Sequence, residues 1–156
     1  MKFLFFITII FLFAACNGSD TKKGEIIVPF DSLTHRYYSS INEKKYVIIK
    51  NESDYKKLWD EFYKDLDQLP IIPEVDFTKH SVIAVFMGVK NTGGFDIKID
   101  KITSSGSKLT VSVIETSPGV NCMVTDAITK PSDFVKIDKT DKEAEFKVTS
   151  IITDCK

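Results

Sequence analysis

Histidine is scarce in this chain. There are two, His35 and His80, and neither stands at a metal-ligand spacing from a cysteine, another histidine or a carboxylate. A Gly-x-Ser-x-Gly elbow and a phosphate-binding loop are both missing. Internal repeats and low-complexity segments are absent as well. Neither sign of charge dominates: 21 basic face 22 acidic side chains, for a net charge of −1. Lys44-Lys45 and Lys56-Lys57 are simple pairs that suit a solvated face, so nucleic acid is not an expected partner. No catalytic residue, metal or cofactor is expected on these grounds. One enzymatic reading stays open, because paired carboxylates of the glycoside-hydrolase kind need share no local motif. The acidic pair Asp138 and Asp141 flanks a turn, and turn solvation accounts for it.

What the chain does have begins at its start. Met1-Lys2 is followed by an unbroken apolar run from Phe3 to Phe13. That run fits a signal-peptide core and falls short of the ~20 residues needed to span a bilayer. Ala14 and Ala15 are the small residues processing requires, Cys16 follows directly, and Asn17-Gly18-Ser19-Asp20 ends all hydrophobicity. This is the arrangement of a bacterial lipoprotein signal, in which the Cys16 thiol takes diacylglycerol and becomes the first mature residue. Phe13 stands where leucine is commonest. The alternative is an ordinary secretory signal cut near Ala15, leaving Cys16 a plain thiol. The lipoprotein reading expects a signal peptide over 1–15, a flexible tether over 16–25 and one globular domain over 26–156. Acyl chains such as palmitate would then hold the protein to a membrane of the cell envelope, each buried methylene contributing ~0.8 kcal/mol.

Of the three cysteines, two remain once Cys16 is set aside. Cys122 and Cys155 are an even number in an exported chain, and a disulfide between them is the favoured reading. It would contribute roughly 3–4 kcal/mol in the chain-entropy model. Two separate thiols are the alternative, since sequence does not bring the pair together.

The domain reads as mostly β with one helix. Ile26–Phe30 suits an edge strand interrupted by Pro29, and 31–45 looks like an irregular connection. Tyr46–Ile49 is a β-type run. Asn51 or Ser53 can cap a helix whose Tyr55, Leu58, Trp59, Phe62 and Leu66 form one apolar stripe. Leu69-Pro70-Ile71-Ile72-Pro73 cannot continue it. Val82–Met87 suits a central strand covered on both faces. Phe95, Ile97 and Ile99 alternate with Asp96, Lys98 and Asp100, Leu109, Val111 and Val113 alternate after a turn, and Phe134–Ile137 and Phe146–Ile152 supply two more strands. The expected fold is a small antiparallel β-sandwich or strongly curled sheet with one packed helix; a single α+β sheet is the runner-up.

Two loops are less bland. Gly88 to Phe95 carries Gly88, Gly93 and Gly94 between two strands, and Gly93-Gly94 permits positive φ and close approach by another backbone. Ser117 to Pro131 is long for a connection between strands, and such loops are commonly functional or disordered. A tight hairpin is the plain reading of the first. Period two would bury Phe95 with Ile97 and Ile99, leaving Asn91 to Gly94 as the exposed part. The candidate binding set is Asn91, Thr92, Gly93, Gly94 and Phe95 with Pro118, Gly119 and Asn121, the two loops lying side by side.

At these loops the chain resembles the C-terminal domain of the protease complex subunit PrcB family. Val75-Asp76-Phe77, then Val82 to Gly88, then Asn91-Thr92-Gly93-Gly94-Phe95 carry the likeness. Pro118-Gly119, Cys122, Val124-Thr125, Ala127, Thr129 and Pro131 extend it, and Tyr46–Ile49 followed by Tyr55, Leu58 and Trp59 fits the family's opening, so the resemblance runs over roughly 45–140. The family often has Gln and Leu where Asp126 and Ile128 stand, and Tyr near Ser132. The resemblance implies a non-catalytic envelope lipoprotein that binds a protein partner and helps a protease assemble or stay stable. Thr92-Gly93-Gly94-Phe95 also looks a little like a loop of chagasin-like cysteine-protease inhibitors, which makes a protease inhibitor the alternative.

Overall fold

The computed structural model describes residues 24–64 and 71–155. The expected signal peptide, Cys16 and most of the tether lie outside the described residues, as do Leu66, Leu69 and Pro70. In chain order the elements are β1 (Ile26–Ile27), β2 (Phe30–Arg36), β3 (Lys44–Ile49), α1 (Glu52–Tyr63), β4 (His80–Met87), β5 (Asp96–Ser105), β6 (Lys108–Pro118), β7 (Ser132–Asp138) and β8 (Glu143–Thr153). They form two four-stranded sheets, β1-β5-β6-β8 and β2-β7-β4-β3. Over the described residues the molecule is a mostly β sandwich with one helix, and the single-sheet alternative does not hold.

The layering follows from β4. Its apolar run leaves no wet face, so both sides must be covered. Ile83, Val85 and Met87 point between the sheets, against Ile97, Ile99 and Ile102 of β5 and Leu109, Val111 and Val113 of β6. Val82, Ala84 and Phe86 point the other way, onto Tyr55, Leu58, Trp59 and Phe62 of α1. The order is therefore helix, sheet, sheet. Asn51 caps α1, its side-chain oxygen accepting from the Asp54 amide at 2.9 Å, and Glu52 and Asp54 sit in the positive first turn.

Three expectations need correction. Residues 31–45 are not all irregular connection: β2 occupies Phe30–Arg36 and pairs with β7. A bulge between Ser32 and Thr34 adds Leu33 to the strand, which breaks the period-two pattern that would have signalled it. The expected Ile26–Phe30 strand is likewise divided. Ile26–Ile27 pairs with β5 in one sheet, and the chain crosses at Val28-Pro29 to the other. The sandwich is also not wholly antiparallel, since β6 and β8 are parallel along their whole length. The chain leaves β6, runs β7 in the opposite sheet, and returns beside β6 in the same direction.

Candidate functional site

The glycine loop and the long loop meet, and the contact is made largely by backbone. Lys90 and Thr129 exchange amide hydrogen bonds at 2.8 and 2.9 Å. The Gly93 amide donates to the Thr125 carbonyl at 2.9 Å, and the Thr129 hydroxyl donates to the Thr92 carbonyl at 2.9 Å. A third segment joins where the Lys130 amide donates to the Tyr37 carbonyl at 2.8 Å. The far end of the long loop is tied to the C-terminus. There the Gly119 amide donates to the Thr153 carbonyl at 2.9 Å, and Cys122 and Cys155 form a disulfide.

The expected juxtaposition of Asn91–Phe95 with Pro118–Asn121 is present, but the glycines serve it from within. A Cβ on Gly93 would lie 2.3 Å from the Thr125 hydroxyl oxygen. Gly94 has φ +84, and a Cβ there would press on Pro118 and Val124 at 3.1 Å. The close approach these residues permit is thus taken by the protein's own second loop. Gly93 is buried, while Asn91 and Asn121 are exposed and Thr92, Pro118 and Gly119 are half-buried or at the surface. Phe95 is half-buried and packs on the inter-sheet core, as the period-two rule expects.

Beside the joined loops lies a groove of about 320 Å³, lined by Tyr37, Tyr38, Phe95, Asp96, Thr125 and Thr129 among others. His35 of β2 spans the mouth of the sandwich to Asp96 of β5, with Nε2 and the carboxylate 2.7 Å apart. Deeper in, Asp133 of β7 accepts the Ile99 amide at 2.8 Å, at the bulge between Ile99 and Lys101. Burial pushes the Asp133 carboxyl above its ordinary range, against the Ile99 hydrogen bond, which lowers it. That carboxylate fills a gap in the β5 backbone, so its engagement is structural.

Several features here escaped the sequence. Tyr37 and Tyr38 stand about half exposed, and Val120 and Met123 project fully, each at 102% exposure, with Ile128 beside them in the same loop. The available signal was composition: apolar side chains in a connection that has no strand or helix period. The His35–Asp96 contact joins residues far apart in sequence across two sheets, and no local spacing announces it. His80 is at the start of β4, its Nδ1 3.3 Å from the Asp76 carbonyl. No cluster of three potential metal ligands occurs among the described residues.

Residues 81–138 match the family profile described as PrcB C-terminal. The match runs from β4 to the end of β7 and includes both joined loops. The upstream part of the resemblance, Tyr46–Trp59 and Val75-Asp76-Phe77, lies outside the matched residues. No curated protein and no solved structure matches the chain significantly.

Proposed function

Taking residues 81–138 as a PrcB C-terminal domain, we propose that this protein is a non-catalytic lipoprotein of the bacterial cell envelope. It is anchored through Cys16 and binds a protein partner with its joined-loop face, assisting the assembly or stability of a protease complex. The observation that carries the reading is the full exposure of Val120 and Met123 on a loop that is fastened rather than loose. Backbone hydrogen bonds hold one side of it and the disulfide holds the other. Apolar side chains on a pre-ordered loop associate without a large ordering cost, which suits a binding surface. The groove between Tyr37, Tyr38 and Phe95 offers an aromatic pocket that Thr125 and Thr129 of the same loop help to line, and aromatic residues are enriched where interfaces carry their energy.

The inhibitor reading places the weight on Thr92 to Phe95 entering a protease cleft. Gly93 and Gly94 face Thr125, Pro118 and Val124, so that loop has one side already occupied. The hydrolase reading needs two free carboxylates across a cleft. Asp96 is engaged by His35 and Asp133 by the Ile99 amide.

Affinity capture from membranes tests the proposal. Wild-type protein is expected to co-purify an envelope protease, and Met123→Asp and Thr92→Arg to lose it while melting normally. Retention of the protease by both variants would move the interface elsewhere. Dose-dependent inhibition of the captured protease by the purified protein would favour the inhibitor reading. For the anchor, labelled fatty acid should enter wild-type protein and not Cys16→Ser, which should leave the membrane fraction.

A further inference from the structure

The four sheet edges of this sandwich are unequally protected. β1 has only two residues. β2 is bulged. β3 is six residues long and opens on Lys44-Lys45. β8 is different: eleven residues, no proline, no break in its pairing with β6 and, among the described residues, no neighbour on its other side. A long regular edge of this kind is a template for another strand.

The direction of its free backbone groups can be read from its two ends. The Glu143 amide donates to the Ser107 carbonyl, and the Thr153 carbonyl accepts from Gly119. Odd-numbered residues therefore turn toward β6. Within one strand residue the N–H and C=O lie on the same side, so Ala144, Phe146, Val148, Ser150 and Ile152 present theirs to the open edge. Phe146 packs on the inter-sheet core and stacks on Tyr46 of β3. Val148 and Ile152 share its face by period two. Past the cover of the opposite sheet they are 39% and 73% exposed.

We propose that β8 pairs with β8 of a second copy of this chain, antiparallel about a two-fold axis at Val148. Val148 is the midpoint of β8 and one of the outward-turned residues, so the symmetric register with greatest overlap joins free amides to free carbonyls. A two-fold axis on Lys147 or Thr149 would also join free groups, but it shortens the overlap within Glu143–Thr153, and the Lys147 axis sets two lysines opposite one another. In the Val148 register Phe146 faces Ser150 of the other copy and Ala144 faces Ile152. Lys147 faces Thr149, Glu145 faces Ile151 and Glu143 faces Thr153. No carboxylate opposes a carboxylate and no lysine opposes a lysine, and the apolar Val148 side chains meet at the axis. The two sheets then continue as one eight-stranded sheet of closed symmetry, which leaves neither β8 edge open.

Cysteine cross-linking in the full-length chain as it is expressed tests this, read on a non-reducing gel. Across a hydrogen-bonded antiparallel pair the Cα atoms are about 5.5 Å apart, within disulfide reach. Val148→Cys is therefore expected to give a covalent dimer at least about tenfold more abundant than Lys147→Cys, whose symmetry mate lies further off. Sedimentation of the Cys16→Ser chain supplies the second measurement. A dimer is expected, with Val148→Pro monomeric and Val148→Lys weakened; the proline substitution removes an outward N–H and spares the ladder to β6. Equal cross-linking at the two positions would overturn the proposal, as would none at Val148→Cys or a monomer at ~100 µM. Cross-linking of Val148→Cys to a different protein in place of a second copy would overturn it too, and would assign the edge to a foreign strand.

Discussion

The two faces of the central sheet are held by different means from the joined loops at its end. On the helix side, aromatic rings pack on one another: Phe62 lies 5.1 Å from Phe134 and 6.0 Å from Phe86, Trp59 lies 6.0 Å from Phe134, and Phe62 meets Tyr63 edge-on at 4.5 Å. At the loop end, order comes from amide–carbonyl bonds, one hydroxyl and one disulfide, while Val120, Met123 and Ile128 remain in solvent. The first arrangement fixes the fold through buried area. The second fixes a surface and leaves its apolar side chains free for contact. A rigid scaffold with exposed loop side chains is the division of labour that binding loops require.

The largest test of that contrast is Phe62→Ala. Phe62 is 0% exposed, and its removal should cost about 3–5 kcal/mol, measured as a lower urea midpoint for the whole domain. Replacing Cys122 and Cys155 together with Ser should come next. Their sequence separation of 33 sets a chain-entropy contribution of roughly 3–4 kcal/mol. Hydrogen exchange should rise first in 119–129 and 151–155, with the α1 and β4 amides following only at global unfolding. Simultaneous loss of protection everywhere would erase the distinction between the regions.

Asp133 sits where the two regimes meet. Asp133→Ala leaves the Ile99 N–H without its acceptor and should cost about 1–3 kcal/mol. Asp133→Asn keeps an acceptor and carries no charge. Because burial raises the folded-state pKa of Asp133 from 3.8, the folded protein holds its proton longer than the unfolded chain does. Wild-type stability contributed by this group is thus greatest at low pH and is lost as pH rises from about 4 through the raised value. Over that window the difference in urea stability should move in favour of Asp133→Asn, and then level off. The smallest effect belongs to Met123→Asp. With its side chain in water, stability should shift by less than about 0.5 kcal/mol, checked by thermal melting, even though partner capture is expected to fail.

Sequence revealed the features that repeat locally. Val82–Met87 announced a strand covered on both sides, and Tyr55, Leu58, Trp59 and Phe62 announced the helix face that covers one of them. The even cysteine count pointed to Cys122–Cys155, which the structure contains. The missed features are non-local or break a period. Leu33 hid β2 by adding a residue to its alternation, and the parallel return of β8 depends on a crossing through the opposite sheet. Gly93 and Gly94 were legible as a need for room; that Thr125, Pro118 and Val124 fill the room was not. His35 and Asp96 acquire a relation only when β2 and β5 stack.

The chain enters the sandwich at Ile26, paired with Ser104 at one end of β5, whereas the joined loops adjoin Asp96 at the other end. The strand between those points rises by about 27 Å at 3.4 Å per residue. With the anchor proposed at Cys16, the folded domain would act as a stand-off, with Ile26 at its foot and the apolar loop tips at its head. A partner met at the head would have to present its own docking surface at that height above the lipid, well clear of the headgroups. Shortening the tether would then restrict the sweep of the head across the membrane while leaving the head itself unchanged.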